Sequence, residues 1–108
     1  MRPYKEHLIL AGSEVKQALA RLNDLSQDAI LFVVDVNNKL VGSLTDGDIR
    51  RGLIQGLSTT SNIEEFIQSS PKFIKKGEVD LDKVIAYREA NLRIIPILDE
   101  EDRVVNVI

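Results

Sequence analysis

Hydrophobic and polar positions in the first sixty residues predict a helix, two strands and a second helix. In EVKQALARLN the apolar residues recur at helical spacing directly after Ser13, so we expect a helix over about residues 14–25 with Ser13 as its N-cap. The apolar run AILFVVD and the segment LVGSL flank a polar stretch, which predicts two strands joined by a tight turn. Residues 46–55 place apolar side chains on one face, and Gly56 ends this second helix.

The remainder of the chain follows the same order of elements. Asn62 and Glu65 form a capping-box pair, which predicts a helix over IEEFIQ that ends before Pro71. The strand KFIKK comes next, then a helix with apolar residues at helical spacing over 81–88. Two further strands, RIIPILD and VVNVI, flank the polar turn DEEDR. This order predicts that the second half is a copy of the first.

A constant offset supports that interpretation. Asp99 lies 64 residues after Asp35 (99 − 35), and Val104 lies 64 residues after Leu40 (104 − 40). Because the period is longer than that of solenoid repeats and occurs about twice, we predict two βαββα units packed around a pseudo-two-fold axis. The fold class is therefore α+β, and residues 1–60 and 61–108 are the two repeats of one module.

Composition narrows the classes of protein. A length of 108 residues suits one compact domain, and 44% hydrophobic with 29% charged residues is the balance of a folded chain. A formal net charge of −3 with 5% aromatic residues argues against a nucleic-acid surface, which needs clustered cations and stacking rings. The longest apolar run is too short to cross a bilayer and cysteine is absent. We therefore expect a cytoplasmic protein that binds neither nucleic acid nor a membrane.

The segment GSLTDGDIRRGL, residues 42–53, permits two interpretations. In the structural one, Thr45 is the N-cap of the second helix with Asp48 at N3, and Asp46–Arg50 and Asp48–Arg51 are surface ion pairs. In the functional one, the same turn binds a 5′-nucleotide. The Thr45 hydroxyl and the free helix amides suit a phosphate, Asp48 suits two ribose hydroxyls, and Arg50 or Arg51 neutralises the phosphate charge.

The order strand, helix, AILFVVD, turn and LVGSLTDGDIRRGL resembles a CBS domain, and two in tandem resemble a Bateman module over residues 8–108. The resemblance implies a regulatory adenine nucleotide, AMP, ADP or ATP. It assigns the phosphate to Thr45, the ribose to Asp48, and the base to apolar residues at the start of a central strand. The predicted ligand-binding residues are Ser43, Thr45, Asp46, Asp48, Arg50, Arg51, Ala29, Ile30 and Leu31.

The resemblance also implies a homodimer through the helices and control of a downstream catalytic domain. LTDGDIRRGL is similar to CBS pairs of arabinose-5-phosphate isomerases and of sugar-1-phosphate nucleotidyltransferases. We favour the second, a mannose-1-phosphate guanylyltransferase-like parent, because the box and final helix of the second repeat would lie beyond Ile108, as expected for an N-terminal fragment. The alternatives are a dimerisation module without a ligand and a sensor of S-adenosylmethionine, which would leave the two arginines without an anion.

Other residues predict no chemistry of their own. His7 is the single histidine, so no triad or multi-histidine metal site forms within one chain, and we expect a solvated side chain. Residues 35–40 resemble the opening of a calcium loop but have Lys39 and Leu40 where a ligand and a glycine are required. The acidic residues 99–102 predict a solvated hairpin turn. We therefore predict no metal site and no catalytic residue, and expect this fragment not to be an enzyme.

Overall fold

Two three-stranded sheets of the same topology form the frame of the computed structural model, which describes residues 3–77 and 81–108. In each sheet the first strand pairs in parallel with the second, and the second pairs antiparallel with the third. The strands of the first sheet are β1 (Leu8–Leu10), β2 (Ile30–Val34) and β3 (Leu40–Thr45). The strands of the second sheet are β4 (Ile74–Lys75), β5 (Pro96–Leu98) and β6 (Val104–Val107).

Three α-helices and three 3₁₀ turns complete the described elements. The helices are α1 (Val15–Leu25), α2 (Asp46–Ile54) and α3 (Leu81–Glu89). The 3₁₀ turns are Tyr4–His7, Ser26–Asp28 and Ile63–Glu65. Because α1 connects β1 to β2 and α3 lies between β4 and β5, both parallel strand pairs have a helical crossover. The predicted α+β fold of two similar repeats is confirmed.

The pseudo-two-fold relation is visible where the two hairpins meet. The Leu40 amide donates to the Asp102 carbonyl (3.0 Å), and the Val104 amide donates to the Asn38 carbonyl (3.0 Å). Each donor and each acceptor has its counterpart 64 residues away (104 − 40 and 102 − 38). Asn38 and Asp102 also share a left-handed backbone, with φ of 66° and 65°. The axis therefore passes between the two turns, and the offset found in the sequence is a structural repeat.

The larger hydrophobic core belongs to the first repeat. Buried side chains of α1, β2, β3 and α2 form one cluster that also includes Ile63 and Phe66 from the segment after α2. A Cβ atom on Gly52 would lie 2.2 Å from the ring of Phe66, so α2 approaches this segment closely because residue 52 has no side chain. Residues 61–66 thus pack on the first repeat, and the repeat boundary at residues 60 and 61 remains a prediction.

Two helix starts differ from their prediction. Ser13 is not the N-cap of α1: its hydroxyl donates to the Leu10 carbonyl, and the Glu14 amide, at the N-cap position, donates to Gln17 Oε1 (3.1 Å). The predicted helix over IEEFIQ is only the 3₁₀ turn Ile63–Glu65, and Asn62 makes no side-chain cap. The reason is an antiparallel bridge in which Ser43 and Gln68 exchange backbone hydrogen bonds (2.9 Å), which requires extended chain where the helix would continue.

The expectation that His7 is solvated is wrong. Only 3% of His7 is exposed, and its Nδ1 lies 2.9 Å from the Ile30 carbonyl oxygen. The 3₁₀ turn Tyr4–His7 folds the start of the described chain against β2, which encloses the ring. Along the described stretches, no helix has the length and apolar character that spanning a membrane requires.

Candidate functional site

The junction between β3 and α2 is a complete capping box. Thr45 has extended backbone angles and ends β3, and α2 begins at the next residue. The Thr45 amide donates to Asp48 Oδ2 (2.9 Å), and the Asp48 amide donates to Thr45 Oγ1 (3.3 Å). Both halves of the box are present, so the predicted cap is confirmed.

The Asp48 carboxylate is surrounded by donors from three segments. Oδ2 accepts from the Thr45 amide and from Thr45 Oγ1 (3.0 Å), while Oδ1 accepts from Arg51 Nη2 (2.5 Å) and Gln68 Nε2 (3.1 Å). Its side chain is 3% exposed. The predicted Asp48–Arg51 pair is confirmed. Each carboxylate oxygen already accepts two hydrogen bonds, so the ribose contact expected for Asp48 would have to displace part of this network.

Arg51 and Gly47 lie on the open side of the same turn. The Arg51 side chain is 61% exposed, and a methyl group added at Gly47 would lie 3.4 Å from Arg51 Nη1 and 3.8 Å from Thr45 Oγ1. A single small group could therefore contact both side chains. The first amides of α2 have no intrahelical acceptor, which adds backbone donors to the same region. This arrangement suits an anion.

Asp46 and Arg50 do not form the predicted ion pair. Both are exposed, and no contact within 4.0 Å joins them among the described residues. An exposed pair of this kind contributes little, because holding two flexible side chains in one geometry costs conformational entropy. Neither residue lines a cavity in the cleft.

A cleft between the two sheets contains two adjoining cavities. The first has a volume of about 230 Å³ and the second about 250 Å³, and they share Ile30, Leu92 and Ile94 as walls. The other residues around the first cavity are Gln27, Asp28, Ala29, Thr45, Asn91 and Arg93. Those around the second are Phe32, Ser43, Gln68, Ser70, Pro71, Lys72 and Ile95.

The structure brings only some of the predicted ligand residues to this cleft. Thr45, Ala29 and Ile30 line the first cavity, and Ser43 lines the second. Leu31 belongs to the buried core, with no exposed surface. Its side chain therefore supports the cleft from behind and does not face it, since successive residues of a strand point to opposite faces. Ligand binding by these residues remains a prediction.

Residues of the second repeat complete the cleft, and the prediction from sequence omitted them. Arg93 lines the first cavity, and its guanidinium has no hydrogen bond or ion pair within 3–77 and 81–108. The offset of 64 residues could have identified this wall, because it pairs Ala29 with Arg93 (93 − 29) and Ile30 with Ile94 (94 − 30). Gln68 had no comparable indication.

The other large openings lie around the hairpin turns and are polar. Asp99 Oδ1 accepts from the amides of Glu101 and Arg103 (both 2.9 Å), and Arg103 Nε donates to Asp99 Oδ2 (2.7 Å). Hydrogen bonds from the Arg103 amide and guanidinium lower the pKa of Asp99. These acidic residues thus form a closed turn. The described residues contain no group of three or more His, Asp or Glu side chains placed to hold a metal ion.

Comparison with known proteins identifies similarities over the whole chain. Residues 7–55 match the CBS domain family. An uncharacterised protein of Helicobacter pylori strain J99 is 31% identical over 102 residues, which cover 94% of this chain and 31% of that protein. The chain therefore spans about a third of the length of the curated relatives that it matches.

Solved structures extend the similarity to both repeats. Staphylococcus aureus OpuCA is 25% identical with a TM-score of 0.75, over all of this chain and 85% of that one. CBSX2 in complex with AMP is 22% identical with a TM-score of 0.77, over all of this chain and 84% of that one. The same fold has been solved with c-di-AMP in a Listeria monocytogenes protein and with ATP in the cytosolic domain of a Mg²⁺ channel.

Proposed function

We propose that this chain, which has the fold of a CBS pair, is a regulatory module that binds an adenine nucleotide in the cleft between its repeats. One observation carries the proposal. The strand starts of both repeats form a continuous apolar wall that ends at Thr45, beside the donors at the start of α2. A nucleotide has the matching parts, an apolar ring and an anionic phosphate.

The apolar wall suits the adenine ring. Ala29 and Ile30 from the first repeat face Leu92 and Ile94 from the second, and aliphatic side chains of this kind pack against both faces of a planar ring. Because about 230 Å³ is below the roughly 300–1,000 Å³ of typical ligand pockets, the first cavity has room for only part of a nucleotide. The ribose and phosphate would extend toward the α2 start or the second cavity.

The phosphate requires cations, and three are available near the cleft. Arg93 lines the first cavity, Lys72 lines the second, and Arg51 lies exposed at the α2 turn. A guanidinium donates two parallel hydrogen bonds to phosphate oxygens, which makes the two arginines the stronger candidates. The adenine ligands of other CBS pairs support this class of ligand for the chain. AMP, ADP and ATP remain the candidates.

A homodimer is the second part of the proposal. Large apolar side chains are exposed on two helices, at Ile54 of α2 and at Leu81 and Ile85 of α3. Contiguous exposed apolar surface on a folded domain is typical of an interface. The same observation favours the alternative function, a dimerisation module that binds no ligand.

We also propose that the module controls a catalytic domain on the same polypeptide in the cytoplasm. A sugar-1-phosphate nucleotidyltransferase of the mannose-1-phosphate guanylyltransferase type is the first candidate, and an arabinose-5-phosphate isomerase is the second. The support is the wording of LTDGDIRRGL. A glycine-rich AGGxGxRL-like segment encoded within about 20 residues after Ile108 would agree with the first candidate. A stop codon there would contradict both.

Thermal unfolding with and without ligand tests the nucleotide proposal. AMP, ADP, ATP, GTP and S-adenosylmethionine are compared on the wild-type chain and on Arg93→Ala, with Arg50→Ala as the matched control. We expect an adenine nucleotide at 100 times its Kd to add about 2.7 kcal/mol of stability, a shift of several degrees. Arg93→Ala reduces the shift and Arg50→Ala does not. A folded dimer that responds to no nucleotide would support the dimerisation module instead.

A further inference from the structure

Asp48 is the buried charge of the β3–α2 junction, and its surroundings leave it no free acceptor. A carboxylate offers about four lone-pair positions. All four are occupied: two by Thr45, one by Arg51 and one by Gln68. With 3% of the side chain exposed, a ligand hydroxyl could reach Asp48 only by displacing one of these donors. Each displaced donor would then lose a charge-assisted hydrogen bond.

The donors come from three separate segments, so Asp48 joins them. Thr45 ends β3, Arg51 lies one turn into α2, and Gln68 belongs to the segment between the repeats. The backbone of Gln68 is already fixed by its bridge to Ser43, with both hydrogen bonds at 2.9 Å. The carboxylate therefore binds to a rigid frame, and its position is determined without any ligand.

Arg51 differs from Asp48 in accessibility. Its side chain is 61% exposed, and only Nη2 is used by the carboxylate. Nη1 remains directed at the turn, 3.4 Å from the point where a methyl group on Gly47 would lie. A free arginine loses about 2 kcal/mol of rotamer entropy when it is ordered, so a guanidinium held in advance binds an anion at lower entropic cost.

We infer that Asp48 is a positioning residue of the phosphate subsite and not the ribose ligand. It holds Arg51 so that Nη1, the Thr45 hydroxyl and the first α2 amides converge on one oxyanion. The Thr45 hydroxyl can turn its proton to the phosphate, because Asp48 Oδ2 keeps the Thr45 amide as a donor. The ribose hydroxyls of the ligand then lie away from Asp48. This inference rests on the proposed nucleotide function.

Binding of AMP and of 2′,3′-dideoxy-AMP separates the two roles. Calorimetry gives both dissociation constants for the wild type, Asp48→Asn and Arg51→Gln, with Asp46→Asn and Arg50→Ala as controls. We expect Kd for both ligands to rise about tenfold in Asp48→Asn and Arg51→Gln, the loss of one charge-assisted contact. The ratio of the two dissociation constants stays within about twofold of the wild-type ratio, and the controls change neither constant.

A ribose contact gives the opposite result. The wild type would then favour AMP over the dideoxy ligand, and Asp48→Asn would abolish that preference, which would overturn the inference. An unchanged Kd for AMP in Asp48→Asn, with only a lower melting temperature, would also overturn it, since Asp48 would then be purely structural. A wild type that binds neither ligand refutes the proposed function itself.

Gln68→Ala covers the case in which Asp48→Asn does not fold. The variant keeps Asp48 and Arg51 and frees one lone pair on Oδ1. A positioning role predicts that the preference between AMP and the dideoxy ligand is the same as in the wild type. If Asp48 binds ribose, removing the competing amide would strengthen AMP binding alone, and the inference would be wrong.

Discussion

The two repeats share a topology but differ in how their first helices are buried. α1 places Val15, Ala18, Leu22 and Leu25 in the core, whereas none of the described residues of α3 is buried. In the first repeat α1 is covered by the sheet, by α2 and by Ile63 and Phe66. A hydrophobic pattern therefore specifies a helix and its apolar face, but burial of that face depends on the element that packs against it.

Truncating one side chain in each helix should give the largest difference. Leu22→Ala removes a side chain that is 1% exposed and should cost about 2–5 kcal/mol of unfolding free energy, because it leaves a cavity. Ile85→Ala acts on a residue that is 47% exposed and should cost less than about 1 kcal/mol. Urea denaturation of both variants at low protein concentration measures the difference. Equal losses would mean that α3 is covered in solution, as in the proposed dimer.

The contact that helps to cover α1 can be broken at Gly52. An alanine there would place its Cβ 2.2 Å from two ring carbons of Phe66, a side chain that belongs to the core. Overpacking of this kind costs about 1–3 kcal/mol, and the better helix propensity of alanine returns up to about 1 kcal/mol. We expect a net loss in urea denaturation.

Gly47→Ala is the matched control on the same helix. Its new methyl group would lie 3.4 Å or more from its nearest neighbours, which is ordinary contact. It should therefore keep or raise the stability, since alanine is the better helix former. A Gly52→Ala protein as stable as the wild type would show that Phe66 can move aside.

The repeat and the cap could be predicted from sequence because they are local or periodic. Thr45 and Asp48 are three residues apart, and the capping box depends on nothing else. The four-donor environment of Asp48 could not be predicted, because Gln68 lies 20 residues away and is placed by a bridge between strands. The same bridge is why the capping pattern at Asn62 failed: tertiary hydrogen bonds outweighed a local preference.

The cleft was half predicted for a related reason. Ala29 and Ile30 were assigned from one repeat, while the facing wall comes from the other. Applying the offset of 64 residues to the site would have added Arg93 and Ile94. His7 had no periodic partner, and its burial depends on a 3₁₀ turn that the hydrophobic pattern does not encode.

The capped start of α2 provides a smaller test of the first repeat. Thr45→Ala removes the acceptor for the Asp48 amide and should cost about 0.5–2 kcal/mol, whereas Thr45→Ser keeps the hydroxyl and should cost little. Thermal unfolding without ligand compares the two variants. An alanine variant as stable as the serine variant would show that the Asp48 carboxylate alone maintains the turn.

The smallest expected effect compares the two hairpin turns. Asp35 and Asp99 each accept two backbone amides, but only Asp99 also pairs with an arginine, Arg103, at 2.7 Å. Hydrogen bonds from Arg103 lower the pKa of Asp99 below its ordinary value of 3.8. A carboxyl whose pKa is lower in the folded state contributes stability above pH 3.8, and this contribution is lost as the pH falls through the folded pKa.

Melting temperatures of the wild type and of Asp99→Asn over a range of pH measure this contribution. The wild type should be slightly more stable near neutral pH, and the two curves should converge below about pH 3.8. The difference should also shrink with added salt, because the guanidinium of Arg103 is accessible to solvent. Asp35→Asn, which removes the equivalent turn carboxylate without an arginine partner, is the matched control, and it should show a weaker dependence on salt. Equal salt dependence in the two variants would mean that the Arg103 pair adds nothing to the second turn beyond the backbone hydrogen bonds that both turns share.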